Sequence, residues 1–169
     1  MVEPKVRVKF VNKDHTHFLK TLKQRVDEYF REHQIDHVAN STMYAKSVAM
    51  LGIYLLPVVC MYLVHLPSWA VLLCFAVSGV GVAGVGMSVM HDANHGAYSH
   101  KPWVNTLMGG TLNLMGGFDV NWRFQHNILH HTYTNITHLD EDIDQRVKMR
   151  WSPHFKYHPI QRFQHIYAF

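Results

Sequence analysis

The sequence is poor in cysteine and in glutamate, and each scarcity excludes a class of metal site. Its two cysteines, Cys60 and Cys74, both lie in an apolar segment. They provide neither a disulfide framework nor a paired-cysteine zinc site, and we expect them to be ordinary apolar residues. After Glu32 the only glutamate is Glu141. Carboxylate-bridged di-iron bundles take several glutamates as ligands, so the inventory excludes a site of that type.

Charged side chains are missing from a long central region. No Asp, Glu, Lys or Arg occurs in the 45 residues from Ser47 to His91. Leu66-Pro67-Ser68 interrupts this run and leaves segments 47–64 and 69–90, each close to the roughly 20 residues that a helix needs to cross a bilayer. The run predicts an all-α membrane protein with a transmembrane helical hairpin over 47–90. A buried hairpin of a soluble protein is disfavoured, because the rest of the chain is too small to bury both helices.

The charges on either side of this hairpin predict its orientation. The net charge of +4 is mild and gives no reason to expect a nucleic-acid partner. Lys46, Lys101 and Arg123 lie near the two ends of the hairpin, whereas the turn between its helices has no basic residue. The positive-inside rule therefore places both ends in the cytoplasm. Met1–Lys13 is polar and mixed in charge, unlike a signal peptide, so we expect membrane insertion to depend on the internal spans.

The flanking segments predict a cytoplasmic N-terminal region over 1–46 and a cytoplasmic or interfacial region over 91–169. Residues 6–10 alternate like a short strand. An amphipathic helix is predicted over 17–33, with Thr16 as its N-cap, to lie on the membrane surface or to pack on the rest of the domain. Its apolar stripe consists of Phe18, Leu22, Val26, Tyr29 and Phe30.

Four further segments are predicted after the hairpin. Residues 102–118 have an apolar face loosened by four glycines. We interpret them as an interfacial or re-entrant helix, because a full crossing would separate the histidine clusters described next. A cytoplasmic helix is predicted over 122–131, followed by an acidic loop over 140–144. Residues 160–169 have the pattern of another apolar helix.

Histidine is abundant, with fifteen residues, and five of them form two clusters. His91 and His95 are four residues apart, as are His126 and His130, and His131 follows directly. Spacing of i and i+4 places two imidazoles on one helix face, close enough to share a metal ion. Five nitrogens exceed the needs of one tetrahedral zinc ion, so the pattern indicates a two-metal site or a site of high coordination number.

The neighbours of these histidines narrow the chemistry. A zincin has the motif H-E-x-x-H with glutamate as the base, but here Asp92 and Asn127 hold that position. The remaining choice is a site made entirely or almost entirely of imidazoles, which suits iron, copper, nickel or zinc. Asp92 and the carboxylates of the 140–144 loop, above all Asp142 and Asp144, are expected to orient ligand histidines through their second ring nitrogens. The other ten histidines lie outside these two clusters; His100, His138 and His165 are left open, and the rest are assigned to solvent or interfaces.

The two clusters resemble the first two histidine boxes of the membrane fatty acid desaturases. They read His-Asp-Ala-Asn-His-Gly at 91–96 and Trp-Arg-x-Gln-His-Asn-x-x-His-His-Thr-Tyr-Thr-Asn at 122–135. The similarity is to the bacterial acyl-CoA or acyl-lipid enzymes related to linoleoyl-CoA desaturases, and it extends over the whole chain. It implies insertion of a double bond into an acyl chain by a non-haem di-iron centre, with O2 and an external electron carrier of the ferredoxin or cytochrome type.

The same resemblance implies roles for individual residues. His91, His95, His126, His130 and His131 would be iron ligands, and Trp122 matches a position near the acyl tunnel. The third box of the family, Gln-x-x-His-His or His-x-x-His-His after a second hairpin, does not occur here, nor does the His-Pro-Gly-Gly motif of a fused cytochrome domain. We therefore expect an incomplete desaturase fold, the N-terminal portion of such an enzyme, inactive alone and located in a bacterial inner membrane. A histidine-box lipid or alkane hydroxylase and a non-catalytic metal-binding membrane fragment remain the alternatives.

Overall fold

The computed structural model describes residues 8–10, 16–143 and 149–167, and all regular structure in these ranges is helical. The chain divides into two compact units, residues 1–37 and 38–169. The prediction of a strand over 6–10 is wrong for residues 8–10, which form none; the rest of that segment lies outside the described residues.

The first unit contains the predicted amphipathic helix. Helix α1 spans Thr16–Glu32, so Thr16 is its first residue and not its cap. The apolar stripe is exposed, with Phe18 at 65% and Tyr29 at 51%. Two histidines stack on aromatic rings of this stripe: His33 on Tyr29 and His37 on Phe30, with centroid distances of 4.1 and 4.0 Å.

The second unit begins with the predicted hairpin. Helix α2 spans Ser41–Leu63 and α3 spans Ser68–Gly84. Asn40 caps α2 by accepting a hydrogen bond from the Met43 N–H, so the helix begins six residues before the uncharged run does. Helix α2 and the continuous helical stretch Ser68–Asn94 that begins with α3 are both long and apolar enough to cross a membrane. Many of their large apolar side chains are exposed, which is typical of helices that face lipid and not of a soluble core. These include Leu56, Tyr62, Trp69, Leu72, Phe75 and Val80.

Small residues bring α2 and α3 into backbone contact. A Cβ on Gly81 would lie 2.6 Å from Tyr54 Cα, and a Cβ on Gly84 would lie 2.9 Å from Met50 Cγ. The Ser78 hydroxyl donates to the Tyr54 carbonyl at 3.1 Å. Van der Waals packing of this kind holds helices together in lipid, where no hydrophobic force drives them together.

Helix α3 extends beyond the uncharged run without a break. It continues through a π-helical segment, Val85–Met90, into the short helix α4, His91–Asn94, so that Ser68–Asn94 is one helical rod of 27 residues. Val85, Val89 and Ala93 on this rod form the buried core with Tyr98. The Tyr98 hydroxyl donates to Ser47 Oγ at 2.8 Å, which fastens the chain after α4 to helix α2.

The remaining helices are short. The predicted helix over 102–118 is divided into α5, Pro102–Gly109, and α6, Thr111–Leu114. A longer helical stretch follows, made of α7 (Asp119–Arg123), a second π-helical segment (Phe124–His130) and α8 (His131–Tyr133). It contains the predicted helix over 122–131. The chain closes with a 3-10 turn, Pro159–Phe163, and α9, Gln164–Tyr167, where the final apolar helix is predicted.

Candidate metal centre

The first histidine box occupies the C-terminal end of the long rod, which stops there for a clear local reason. Gly96 has φ of +73°, a conformation that glycine adopts without strain. The N–H of Ala97 donates to the Asp92 carbonyl and that of Gly96 to the Ala93 carbonyl, both at 2.9 Å. This pair of bonds is the Schellman motif that closes a helix. It holds the backbone on either side of His95 in place.

The second box lies largely in the π-helical segment Phe124–His130, and this geometry explains its extra histidine. A π-turn closes on residue i+5, so residues i+4 and i+5 both return to the side of residue i. The His126 ring accordingly lies 5.0 Å from that of His130 and 5.1 Å from that of His131, between centroids. In an α-helix, only His130 would return to the face of His126.

The two boxes converge, as the sequence predicts. The His95 ring lies 5.2 Å from that of His126 and 4.8 Å from that of His131, and His91 lies 5.1 Å from His126. The ligand atoms of His91, His95 and His126 all lie within 4.8 Å of one another, and so do those of His126, His130 and Asp142. All five predicted ligands are thus brought together, although they come from two elements thirty residues apart in sequence.

Three of these rings have a carboxylate on Nδ1. Asp92 lies 3.1 Å from His91 Nδ1, Asp142 lies 2.6 Å from His126 Nδ1 and Asp140 lies 2.8 Å from His130 Nδ1. A carboxylate at this position favours the proton on Nδ1, which leaves the Nε2 lone pair free for a metal.

These contacts show which of the predicted orienting carboxylates lie beside a histidine ring. Asp92 and Asp142 occupy the predicted orienting positions, and Asp144 lies outside the described residues. Sequence reasoning did not single out Asp140, although the residue belongs to the predicted acidic loop. The acidic loop was the sequence feature that pointed to Asp140, but four of its five residues are carboxylates, so the sequence alone could not show which of them contacts His130.

Asp140 is the most firmly held of these carboxylates. It is fully buried and also accepts the N–H groups of Asn135 and Asp142, at 2.7 and 3.1 Å. Burial acts to raise the pKa of Asp140, but the hydrogen bond with His130 and the two backbone N–H groups outweigh it, so that the pKa lies below its ordinary value. The carboxylate therefore stays ionised and able to orient His130.

No carboxylate among the described residues bonds to the His95 ring, but the surroundings of the ring favour its neutral form. Desolvation of the His95 ring, which is only partly covered, followed by repulsion from His91, His126 and His131, lowers the pKa of His95, and the nearby Asp92 only partly opposes this. Because a metal binds the neutral imidazole, a lowered pKa keeps His95 in its binding form at lower pH.

Trp122 lies against the cluster of histidine rings. Its ring stacks on that of His126, with a centroid distance of 4.4 Å and an interplanar angle of 22°, and forms T-shaped pairs with the rings of His91 and His95 at 5.7 and 6.0 Å. The residue proposed for the substrate tunnel thus packs directly on three of the five histidines. Such stacking restricts the rotation of the His126 ring.

The donor set fits a metal of borderline softness. Neutral imidazoles with carboxylates on their second nitrogens suit iron, copper, nickel and zinc, and an ion between the boxes would satisfy nitrogens that otherwise repel when protonated. Among the histidines for which the sequence leaves the role open, His138 packs edge-on against the ring of Phe155, with a centroid distance of 5.7 Å.

Comparisons with known proteins decide the family. The model of the fatty acid desaturase family matches residues 66–169. The chain belongs to the fatty acid desaturase family. It is 39% identical to an sn-1 linoleoyl-lipid 6-desaturase of Arthrospira platensis over 88% of this chain, and 38% identical to a protein of the same description from Synechocystis sp. over 95%. It is also 34% identical to an acyl-lipid (8-3)-desaturase of Physcomitrium patens over 96% of the chain.

The chain matches less than half of the length of each of these three relatives. The chain spans 40% and 44% of the length of the two linoleoyl-lipid desaturases and 34% of the moss protein. No solved structure matches the chain. Both histidine boxes lie within the region that the family model matches, so the candidate metal centre belongs to the part that the chain shares with this family.

Proposed function

We propose that the chain supplies the first two histidine boxes of an acyl-lipid desaturase with a non-haem di-iron centre. The observation that carries the proposal is the convergence of five imidazoles from two boxes, three of them with Nδ1 on a carboxylate. When bound, the iron ions would supply the redox chemistry that activates O2. An external electron carrier, of the ferredoxin or cytochrome type, would provide the two electrons that desaturation needs.

The protein's own groups would hold and shield this centre. His91 and His95 would bind from one side and His126, His130 and His131 from the other. Asp92, Asp140 and Asp142 would keep the proton on Nδ1 of their partner histidines. Five nitrogens are few for two ions that prefer high coordination numbers, so further ligands from outside these residues are part of the proposal.

The substrate proposed is an acyl chain attached to a membrane lipid. Two of the relatives are described as acting on linoleoyl-lipid and one on an acyl-lipid. The membrane hairpin supports this choice, because it anchors the metal centre where a lipid acyl chain can reach it. Trp122 offers an apolar aromatic surface beside His91, His95 and His126 along which such a chain can lie.

A segment exchange tests the function directly. We expect a chimera in which these 169 residues replace the matching segment of the Arthrospira desaturase to form double bonds in a desaturase-free host, as measured by gas chromatography of fatty acid methyl esters. The same chimera with His91→Ala should form none. The 169 residues expressed alone should also form none, because they lack the third box.

The outcomes separate the alternatives. Hydroxylated acyl chains from the chimera would favour the lipid hydroxylase, since that reaction uses the same metal chemistry. A chimera that folds and binds iron but leaves the acyl chains unchanged would favour a non-catalytic metal-binding role. New double bonds from the 169 residues alone would contradict the requirement for the third box.

The proposed orientation places both ends of the hairpin, and therefore the metal centre, on the cytoplasmic side of a bacterial inner membrane. Lys46 lies in the second turn of α2, just before the uncharged run, while Lys101 and Arg123 follow the rod that ends at Asn94. Reporter fusions at Lys46 and Lys101 are expected to give cytoplasmic signals, and a fusion at Ser68 an external one. A cytoplasmic signal at Ser68 together with an external signal at Lys101 would reverse the assignment.

A further inference from the structure

We propose that Asn127 is a positioning residue that holds the second histidine box against the end of the first. This inference rests on the proposed function for the meaning of the metal centre. The Asn127 side-chain amide donates from Nδ2 to the main-chain carbonyl of Asn94 at 2.8 Å. We call this contact the Asn94–Asn127 clamp. Neither residue is among the proposed ligands, yet each lies directly beside one, His95 and His126.

The carbonyl that receives this bond is one that the helix end leaves unpaired. The last carbonyls of a helix have no partner within it. The Schellman motif satisfies those of Asp92 and Ala93, through Ala97 and Gly96. The Asn94 carbonyl comes next and is satisfied from outside, by Asn127. The second box thus completes the capping of the helix that carries the first.

The amide of Asn127 has a fixed orientation for the same reason. A carbonyl only accepts hydrogen bonds, so the end of the amide that faces Asn94 must be the NH2 group. Its other end, Oδ1, is then a buried acceptor, and it has no hydrogen-bond partner among the described residues. An unpaired buried acceptor is unfavourable. The contribution of this side chain to the fold therefore lies in the bond to Asn94.

The side chain of Asn94 extends the clamp to a third element. Its Nδ2 lies 3.4 Å from the Gly109 carbonyl at the end of α5. A Cβ on Gly109 would lie 2.9 Å from Asn94 Cγ, so only glycine leaves room for this approach. Asn94 is therefore held from both sides, and the first box has a single position relative to the second.

The variant Asn127→Leu removes the donor while it keeps an uncharged side chain of similar size. Asn121→Leu is the matched control, because Asn121 lies in the same helical stretch but is exposed, and the bond that its amide makes within the described part of the chain is to Gln125 on that stretch. The first measurement is hydrogen–deuterium exchange of the metal-free chain in detergent. We expect amides in segment 91–97 to exchange about fivefold faster in Asn127→Leu, as for the loss of one hydrogen bond, and unchanged in Asn121→Leu.

The second measurement is the affinity for Co(II), with parent and variants compared in two backgrounds. With both boxes intact, we expect Asn127→Leu to weaken Co(II) binding about tenfold, the lower range for groups that position metal ligands. In the background His91→Ala/His95→Ala, where the first box contributes no ligand, the same change should cost less than twofold. Gly109→Ala should behave in the same way, since it displaces Asn94 from the other side.

Each result bears on the clamp or on the metal centre separately. Equal losses of Co(II) affinity for Asn127→Leu in both backgrounds would mean that Asn127 acts within its own helix. Exchange rates in segment 91–97 that match those of Asn121→Leu would mean that the contact with Asn94 does not form. Either result overturns the clamp. Affinity that is unchanged when His91 and His95 are deleted would instead overturn the shared metal centre. The exchange measurement uses no metal and would still decide the clamp.

Discussion

Replacing His130 by alanine is expected to reduce the metal affinity by at least about a hundredfold. Zinc sites with four ligands bind with about 10–16 kcal/mol, or roughly 3 kcal/mol for each ligand, and 1.4 kcal/mol corresponds to a factor of ten. The change also removes the side-chain partner of Asp140, which is fully buried and keeps only its two backbone N–H partners among the described residues. The hydrogen bond from His130 lowers the pKa of Asp140, whereas burial raises it. Without His130, the pKa of Asp140 should therefore rise, which makes the ionised carboxylate less favourable.

His154→Ala is the control for this prediction. His154 lies outside both boxes, so its replacement should leave the affinity within twofold of the parent. Metal content per chain is measured in detergent for the parent and both variants, after equilibration at several concentrations of free iron. Equal losses in the two variants, or no loss in either, would show that the boxes do not form a metal centre in this chain.

The membrane hairpin and the convergence of the boxes could be predicted from sequence because both depend on simple periodicities. A run without charge, broken at Leu66-Pro67-Ser68, marks two spans. Spacing of four residues places His91 beside His95 and His126 beside His130. The ends of the helices were harder to predict: the side chain of Asn40 caps α2, so the helix begins before the uncharged run. Residues 102–118 were predicted as one helix, but the chain turns between Gly109 and Thr111.

The details that build the metal centre depend on contacts between distant residues, which no local pattern encodes. The π-helical segment Phe124–His130 brings His131 beside His126, whereas α-helical periodicity would turn His131 away. The choice of Asp140 over its acidic neighbours depends on the turn after the second box, where Asn135 has φ of +64° and its N–H bonds to Asp140. The clamp joins two asparagines 33 positions apart, and asparagine alone predicts no partner.

Trp122 shows how a resemblance and a structure can supply different parts of one role. The resemblance implies a position near the acyl tunnel. The structure adds that the indole stacks on His126 and faces His91 and His95. A residue in both positions would couple the placement of the acyl chain to the orientation of a ligand ring. The metal centre and the substrate surface would then share one side chain.

The packing of α3 on α2 leads to the largest expected effect on stability, for the variant Gly81→Leu. A Cβ at Gly81 would lie 2.6 Å from Tyr54 Cα and 2.8 Å from Tyr54 Cβ. Main-chain atoms cannot rotate away as a flexible side chain can, so the helices must separate. Overpacking costs about 1–3 kcal/mol where the neighbours can adjust, and we expect the full cost or more here. The thermal unfolding midpoint in detergent, followed by circular dichroism, should fall by at least about 5 °C.

Gly79→Leu is the matched control, because it lies on the same helix and a Cβ there meets nothing within 4 Å. Its midpoint should remain unchanged or rise slightly, since leucine favours a helix more than glycine does. The two variants should also differ at the metal centre. Helix α3 continues directly into His91 and His95, so a shift of α3 away from Tyr54 displaces the first box, and Gly81→Leu should weaken metal binding while Gly79→Leu does not. Equal midpoints for the two variants would contradict the close contact at Gly81, and with it the mechanical connection from the membrane hairpin to the histidines.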